Sequence, residues 1–351
     1  MTNARSIRVP AALSFGLLAA LPLGCGGGDP GVDAFVTATD DAFVPGADAG
    51  PEADAFSAED AFTETADAGA SPDAFTPPTD DAGMMAACGG MRPDITGVTG
   101  TEGLVIGRDG AIYYSQRAAV GRIGTDGVAN DAFVALPRGA TQVWGMVPDA
   151  ANEHLYVGSP STGAIYDVDL TATPPAATTL VSGVGGPNGL TLGPDGALYF
   201  SDFSGGRVMR VELTAGATPT MVASLRSANG VAFDDAGHLL VCNYGSGELV
   251  RLTLASGVET SREIAASGLG SPDGVALDRD GTIYVTDNGA GRLLRVEADG
   301  SITALLTGVS SAASLDFGAG VLDCEDLYVA SGRAMRRYEM GTVAGRAVPW
   351  H

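Results

Sequence analysis

The feature that most constrains this chain is self-similarity: one unit of about 40–45 residues recurs six times between residues 99 and 340. The copies that begin at Gly186, Ser227 and Ser271 read GPNGLTLGPDGALYFSD, SANGVAFDDAGHLLVCN and SPDGVALDRDGTIYVTD. A fourth begins at Thr101 (TEGLVIGRDGAIYYSQ), a fifth near Val143 (VWGMVPDAANEHLYVGS) and a degenerate sixth at Ala312 (AASLDFGAGVLDCEDLYVAS). Aligned on one column, the copies start at Glu102, Trp144, Asn188, Asn229, Asp273 and Ala313, with spacings of 42, 44, 41, 44 and 40 residues.

Each unit predicts four strands. In the third copy a short apolar strand, Leu190–Leu192, meets an Asp195-Gly196 turn and a second strand, Ala197–Ser201. A turn at Gly205-Gly206 leads to a third strand, Val208–Leu213, and a less regular outer strand, Thr220–Leu225, completes the unit. Asp-Gly and Gly-Gly between alternating β-formers are hairpin turns, because glycine reaches the positive φ these turns require. No capped helical period intervenes. A four-stranded unit of this length, repeated in tandem, predicts an all-β, six-bladed β-propeller over residues 91–351.

Residues 1–90 have a different character. Arg5 and Arg8 precede an apolar run from Val9 to Leu23, the pattern of an export signal over residues 1–24 and too short to cross a bilayer. The run ends Leu21-Pro22-Leu23-Gly24-Cys25, which resembles a bacterial lipoprotein box with Cys25 as the lipidated residue; Pro22 departs from that pattern, and plain secretion is the alternative. Residues 25–90 predict a disordered acidic tether, with 14 Asp and Glu and no Arg between Gly26 and Ala87, and five Asp-Ala-Phe triplets. Self-repulsion and scarce apolar mass keep such a segment from forming a core. The expected location is the cell envelope, lipid-anchored to the membrane, periplasmic or surface-exposed.

Composition removes several chemistries. The chain has no Lys, so it has no phosphate-loop lysine, kinase lysine or Schiff-base nucleophile. A net charge of -23 argues against a nucleic-acid partner. His154, His238 and His351 are the only histidines, two beside hairpin turns and one at the C-terminus, and neither a G-x-S-x-G elbow nor an H-E-x-x-H motif is present. Cys88 precedes the first blade and Cys324 lies in the last, so a Cys88–Cys324 disulfide would join ends that must meet, although pairing is not readable from sequence. Cys242 reads as a small buried hydrophobe, and Asp202 and Asp287 as anchors of blade loops.

The aligned column carries the chemistry. The innermost strand of every blade lines the central channel, so the column forms a ring around the axis: Glu102, Trp144, Asn188, Asn229, Asp273, Ala313. Two carboxylates and two carboxamides make an oxygen-rich cage suited to Ca²⁺ or another hard divalent cation. Asn-Gly and Asp-Gly are also common turns, which is the competing reading of Asn188, Asn229 and Asp273. Against it, each unit already has its turn seven residues later, and neither Glu102 nor Trp144 is a turn residue.

These residues resemble the senescence marker protein/gluconolactonase (regucalcin-like) family, which in turn resembles diisopropylfluorophosphatase. The resemblance rests on the Glu102-Gly103 step, Asn188, Asn229-Gly230, Pro272-Asp273-Gly274, and the segments 314–318 and 327–329. It implies that Glu102, Asn229 and Asp273 bind a divalent cation, usually calcium, and that Asn188 binds metal or substrate. It also implies hydrolysis of lactones or related esters, with Asp273 as base or nucleophile. Sugar-lactone members carry an Arg two residues before the third-blade Asn, where this chain has Gly186, and Trp144 points to a more apolar ligand. The expected partner is therefore a small-molecule lactone or ester, acted on by a monomer. The blades also resemble the NHL repeat, so the alternative is a non-catalytic propeller that binds a glycan or protein at the cell surface.

Overall fold

The computed structural model describes residues 88–98, 102–332 and 334–340. The export signal over 1–24, Cys25 and nearly all of the 25–90 tether lie outside the described residues, as do His351 and the C-terminus. All regular structure described is β-strand, in six antiparallel sheets. No helix long and apolar enough to cross a membrane occurs among the described residues.

Blade 3 is the pattern for the rest. Its strands run Pro187–Leu192, Leu198–Asp202, Arg207–Val211 and Thr220–Ser224, each paired with its neighbour in sequence. The first hairpin turns through Gly196 at φ +74° and the second through Gly206 at φ +65°, as the turn signals require. Leu198 and Phe200 pack toward blade 2 while Tyr199, between them, packs toward blade 4. Alternation thus sends apolar side chains to both faces of the sheet, and both faces are covered by neighbouring blades.

The same logic runs around the ring. Six apolar clusters each join one pair of adjacent blades, and the cluster built on Ile106, Tyr114, Tyr328 and Ala330 joins blade 1 to blade 6. The propeller is therefore closed, and its innermost strands (104–106, 146–148, 187–192, 228–233, 272–277 and 312–317) surround the axis.

The last blade's described strands are Ala312–Phe317, Asp326–Ser331 and Ala334–Glu339, and the chain after residue 340 lies outside the described residues. Closure is made at this blade's first hairpin. Gly89 N–H donates to Gly320 O at 2.8 Å, Met91 N–H to Val321 O at 2.9 Å, and Asp323 N–H to Met91 O at 3.2 Å. Arg92 reaches Asp326 at 3.0 Å and Asp323 at 3.1 Å. A Cys88–Cys324 disulfide, with Cα atoms 5.6 Å apart, ties this segment down across 236 residues of chain. Cys242 is fully buried between blades 4 and 5.

Candidate functional site

The six column residues open the innermost strands, and backbone packing shows that they form one ring. An ideal Cβ on Gly274 would lie 2.6 Å from the Ala313 carbonyl oxygen, and Cβ atoms on Gly103, Gly145, Gly189 and Gly230 would collide with the carbonyls of Trp144, Asn188, Asn229 and Asp273. Every glycine after a column residue thus abuts the column residue of the next blade. The circuit closes where Ser314 N–H donates to the Glu102 carbonyl at 3.3 Å. None of these glycines has the positive φ of a turn. The x-Gly step answers close approach at the axis, not chain reversal.

Hydroxyls on the second strands hold the ring's backbone. The Ser115 hydroxyl accepts N–H bonds from Glu102 (2.7 Å) and Gly103 (3.0 Å), and the Ser201 hydroxyl accepts one from Gly189 (2.9 Å). Thr286 accepts from Gly274 N–H at 2.8 Å and donates to Ala313 O at 2.5 Å, linking blades 5 and 6. All three hydroxyl residues are buried.

Asn188, Asn229 and Asp273 line an axial cavity of about 160 Å³ that all six innermost strands enclose. Each of the three side chains is buried. Asp273 has its carboxyl pushed well above the ordinary range, first by burial and then by the charge of Glu102, while hydrogen bonds from Asn229 and Asn288 oppose the rise. Burial also raises the Glu102 carboxyl. Glu102, Asn229 and Asp273 are thus near neighbours, and Asn188 faces the same cavity. Trp144 is half-buried in the same column, its ring 6.1 Å from that of Phe203 in an edge-to-face pair.

Two residues near the axis escape the column alignment. Asn288 follows the second strand of blade 5, one residue outside the Pro272–Asp287 pairing, and reaches Asp273 from the side. Asp316 lies in the channel three residues beyond Ala313, about 10 Å along the strand. Burial raises its carboxyl to about 7, against hydrogen bonds from Ile106 N–H and Phe317 N–H, both 2.9 Å. Its position on the innermost strand is the one signal that could have marked it.

Asp202 and Asp287 are loop anchors. Asp202 accepts N–H bonds from Gly186 (2.8 Å) and Gly205 (2.9 Å) and pairs with Arg207; Asp287 does the same with Ser271 (2.9 Å), Ala290 (3.1 Å) and Arg292. Burial favours their neutral forms, yet these donors more than offset it and hold both carboxyls below the usual range. His154 and His238 are engaged with Asp167 at 2.8 Å and Asp234 at 3.1 Å.

The donor set fits a hard cation. The buried Asp273 and half-buried Glu102 carboxylates raise the energy of each other's charge, and among the described residues neither forms an ion pair with an arginine. Such a pair costs energy until a cation joins it. Asparagine suits the arrangement, because its amide N–H can donate to Asp273 while its oxygen stays free to ligate. No group of three or more His, Cys, Asp or Glu placed to hold a metal ion occurs among the described residues, so a cation here would need the carboxamides as well.

Known proteins resemble the chain in both sequence and fold. Residues 129–265 match the SMP-30/Gluconolactonase/LRE-like region, and residues 269–295 match the NHL repeat. Asn188 and Asn229 fall in the first match and Asp273 in the second, while Glu102 precedes both. No curated protein matches the chain. A calcium-binding regucalcin from Agrobacterium tumefaciens superposes with a TM-score of 0.61 at 18% identity, over 74% of this chain and 96% of its own. A gluconolactonase from Xanthomonas campestris gives 0.59 at 22%, over 71% and 87%. A virginiamycin B lyase from Staphylococcus aureus gives 0.51 at 16%, over 69% and 85%. The stretch from the outer strand of blade 1 to the outer strand of blade 4 therefore matches the SMP-30/gluconolactonase/LRE-like region, within a six-bladed propeller of the fold seen in regucalcin and gluconolactonase structures.

Proposed function

We propose that the protein is a divalent-cation-dependent hydrolase of lactones or related esters, exported and held at the membrane by a lipid on Cys25. The observation that supports the catalytic reading is that Asn188, Asn229 and Asp273 share one axial cavity while the charge of half-buried Glu102 acts on Asp273, with no arginine paired to either carboxylate among the described residues. Glu102, Asn188, Asn229 and Asp273 would hold the cation, calcium being the ion such oxygen donors suit. When bound, it supplies Lewis acidity toward a carbonyl oxygen.

The chain's own groups supply the rest. Asp273 Oδ is the base: it takes a proton from the water that attacks the acyl carbon and returns it to the ester oxygen as the acyl C–O bond breaks, leaving the hydroxy acid. If it attacks directly, the ester oxygen leaves with a proton from solvent and water then cleaves the mixed anhydride, restoring the carboxylate. Hydrogen bonds from Asn229 and Asn288 favour its ionised form and fix the plane of the carboxylate. Asn188, from the third blade, orients the substrate oxygen. The burial of Asp273 lowers the dielectric around the reacting centre, which strengthens each of these interactions.

A lactone panel assayed with calcium and with chelator tests the proposal. The wild type is expected to hydrolyse at least one lactone only with the ion present. Glu102→Gln should abolish both the hydrolysis and the calcium-induced rise in melting temperature. A calcium-shifted melt without hydrolysis would reduce the ring to a structural ion site. Neither shift nor hydrolysis would favour the binding propeller that the NHL match supports.

A further inference from the structure

The mouth of the ring has two unlike halves. Phe203, Tyr244 and Asn288 occupy equivalent places, each one residue past the second strand of its blade. Each donates its backbone N–H to a residue just before the column: Phe203 to Gly186 O (2.9 Å), Tyr244 to Ser227 O (3.1 Å) and Asn288 to Ser271 O (3.0 Å). At this position in blade 5 the Asn288 side chain reaches Asp273. In blade 3 Phe203 instead meets Trp144, the column residue of blade 2, at 6.1 Å and 82°. Tyr244 meets Phe203 at 5.9 Å and 77°. Three half-buried rings from blades 2, 3 and 4 thus form one arc on the rim of the ring where Asn288, the equivalent of Phe203 and Tyr244, reaches Asp273.

We infer that Trp144, Phe203 and Tyr244 form the specificity wall of the site and select lactones or esters with a flat aromatic or apolar group over polyhydroxylated sugar lactones. This rests on the hydrolase reading for the reaction, and on the wall alone for the ligand. Successive rings meet edge to face, so the arc is a folded corner that receives the face and edge of a planar group, not a single flat platform. The corner's only polar atom from the three rings, apart from the indole N–H, is the Tyr244 hydroxyl. A polyol held there would lose hydrogen bonds to water without regaining them. Gly186 adds no side chain to cover the wall, and a Cβ there would come within 2.8 Å of the Ser204 hydroxyl. The opposite half offers Asn288 and the acidic pair for the polar end of the ligand.

The test compares dihydrocoumarin with glucono-1,5-lactone on the calcium-loaded full chain. The wild type is expected to favour dihydrocoumarin at least tenfold in kcat/KM. Phe203→Ala and Tyr244→Ala should each lower that ratio about tenfold, the effect of losing the contact of one ring with the ligand. Phe203→Leu, which keeps apolar volume, should lower it less and guards against misfolding. Trp144 gives a readout independent of turnover, since the chain has 2 Trp and a Trp350→Phe background leaves one. Dihydrocoumarin should quench it, with Kd about tenfold higher in Phe203→Ala. Preference for the sugar lactone, or a ratio within twofold of wild type in both alanine variants, overturns the wall while leaving a hydrolase. Quenching without hydrolysis of any lactone keeps the wall and removes the hydrolase; no quenching and no hydrolysis removes both.

Discussion

Replacing Cys88 and Cys324 together by Ser tests how the propeller is closed. The bond spans 236 residues, so it restricts nearly the whole folded chain when unfolded. The loop-closure relation for a ring of that size gives about 5 kcal/mol at 25 °C. That is comparable with the entire stability of many domains. The joint it guards is short: four backbone hydrogen bonds at 2.8, 2.9, 3.2 and 3.3 Å and the Arg92 ion pairs. Without the staple, this segment should detach first and loosen blade 1 against blade 6, and with it the seat of Glu102. Urea unfolding monitored by far-UV circular dichroism is expected to show a loss of about 3–5 kcal/mol. Calcium should also raise the melting temperature less than in the wild type. A loss below about 1 kcal/mol, or peptide mapping that finds both thiols free in the folded protein, would refute this account of closure.

Two further outcomes follow from the ring. In chelator, stability should rise as pH falls from 8 towards 5, because Asp273 and Asp316 have native carboxyls raised above their unfolded values and the native state binds protons more tightly. Thermal melts of Asp273→Asn/Asp316→Asn should lose most of that slope; an unchanged slope would place the responsible groups elsewhere. Below about pH 4 the trend reverses, as Asp202 and Asp287, whose carboxyls are held low, take up protons. Gly274→Ala should cost roughly 1–3 kcal/mol by overpacking, since the Ala313 carbonyl 2.6 Å from the new Cβ belongs to the backbone and has no rotamer to escape into. An effect within about 0.5 kcal/mol in denaturant melts would contradict the axial contact.

The repeat, its hairpins and the ring column were legible in the primary structure for one reason: each is written within a few residues. Asp195-Gly196 and Gly205-Gly206 specify turns through the φ values of their own glycines, and six copies in tandem align the column without any knowledge of distance. The column glycines show where that legibility ends. Asn229-Gly230 reads equally as a turn or as an axial contact, and only the approach of the next blade's carbonyl distinguishes them. Asn288, Phe203 and Tyr244 went unmarked because their role depends on the neighbouring strand and blade they face. The meeting of Cys88 with Cys324 depends on how the ring closes.

Period, strand chemistry and the kinds of oxygen donor are thus properties of the chain by itself, since local backbone preference and side-chain chemistry do not need the rest of the molecule. Which donors share a cavity, which carboxylates repel, and which aromatic rings flank them were decided by the closing of six blades on one axis. That closure brings residues 171 positions apart, such as Glu102 and Asp273, into one low-dielectric space where their charges act on each other.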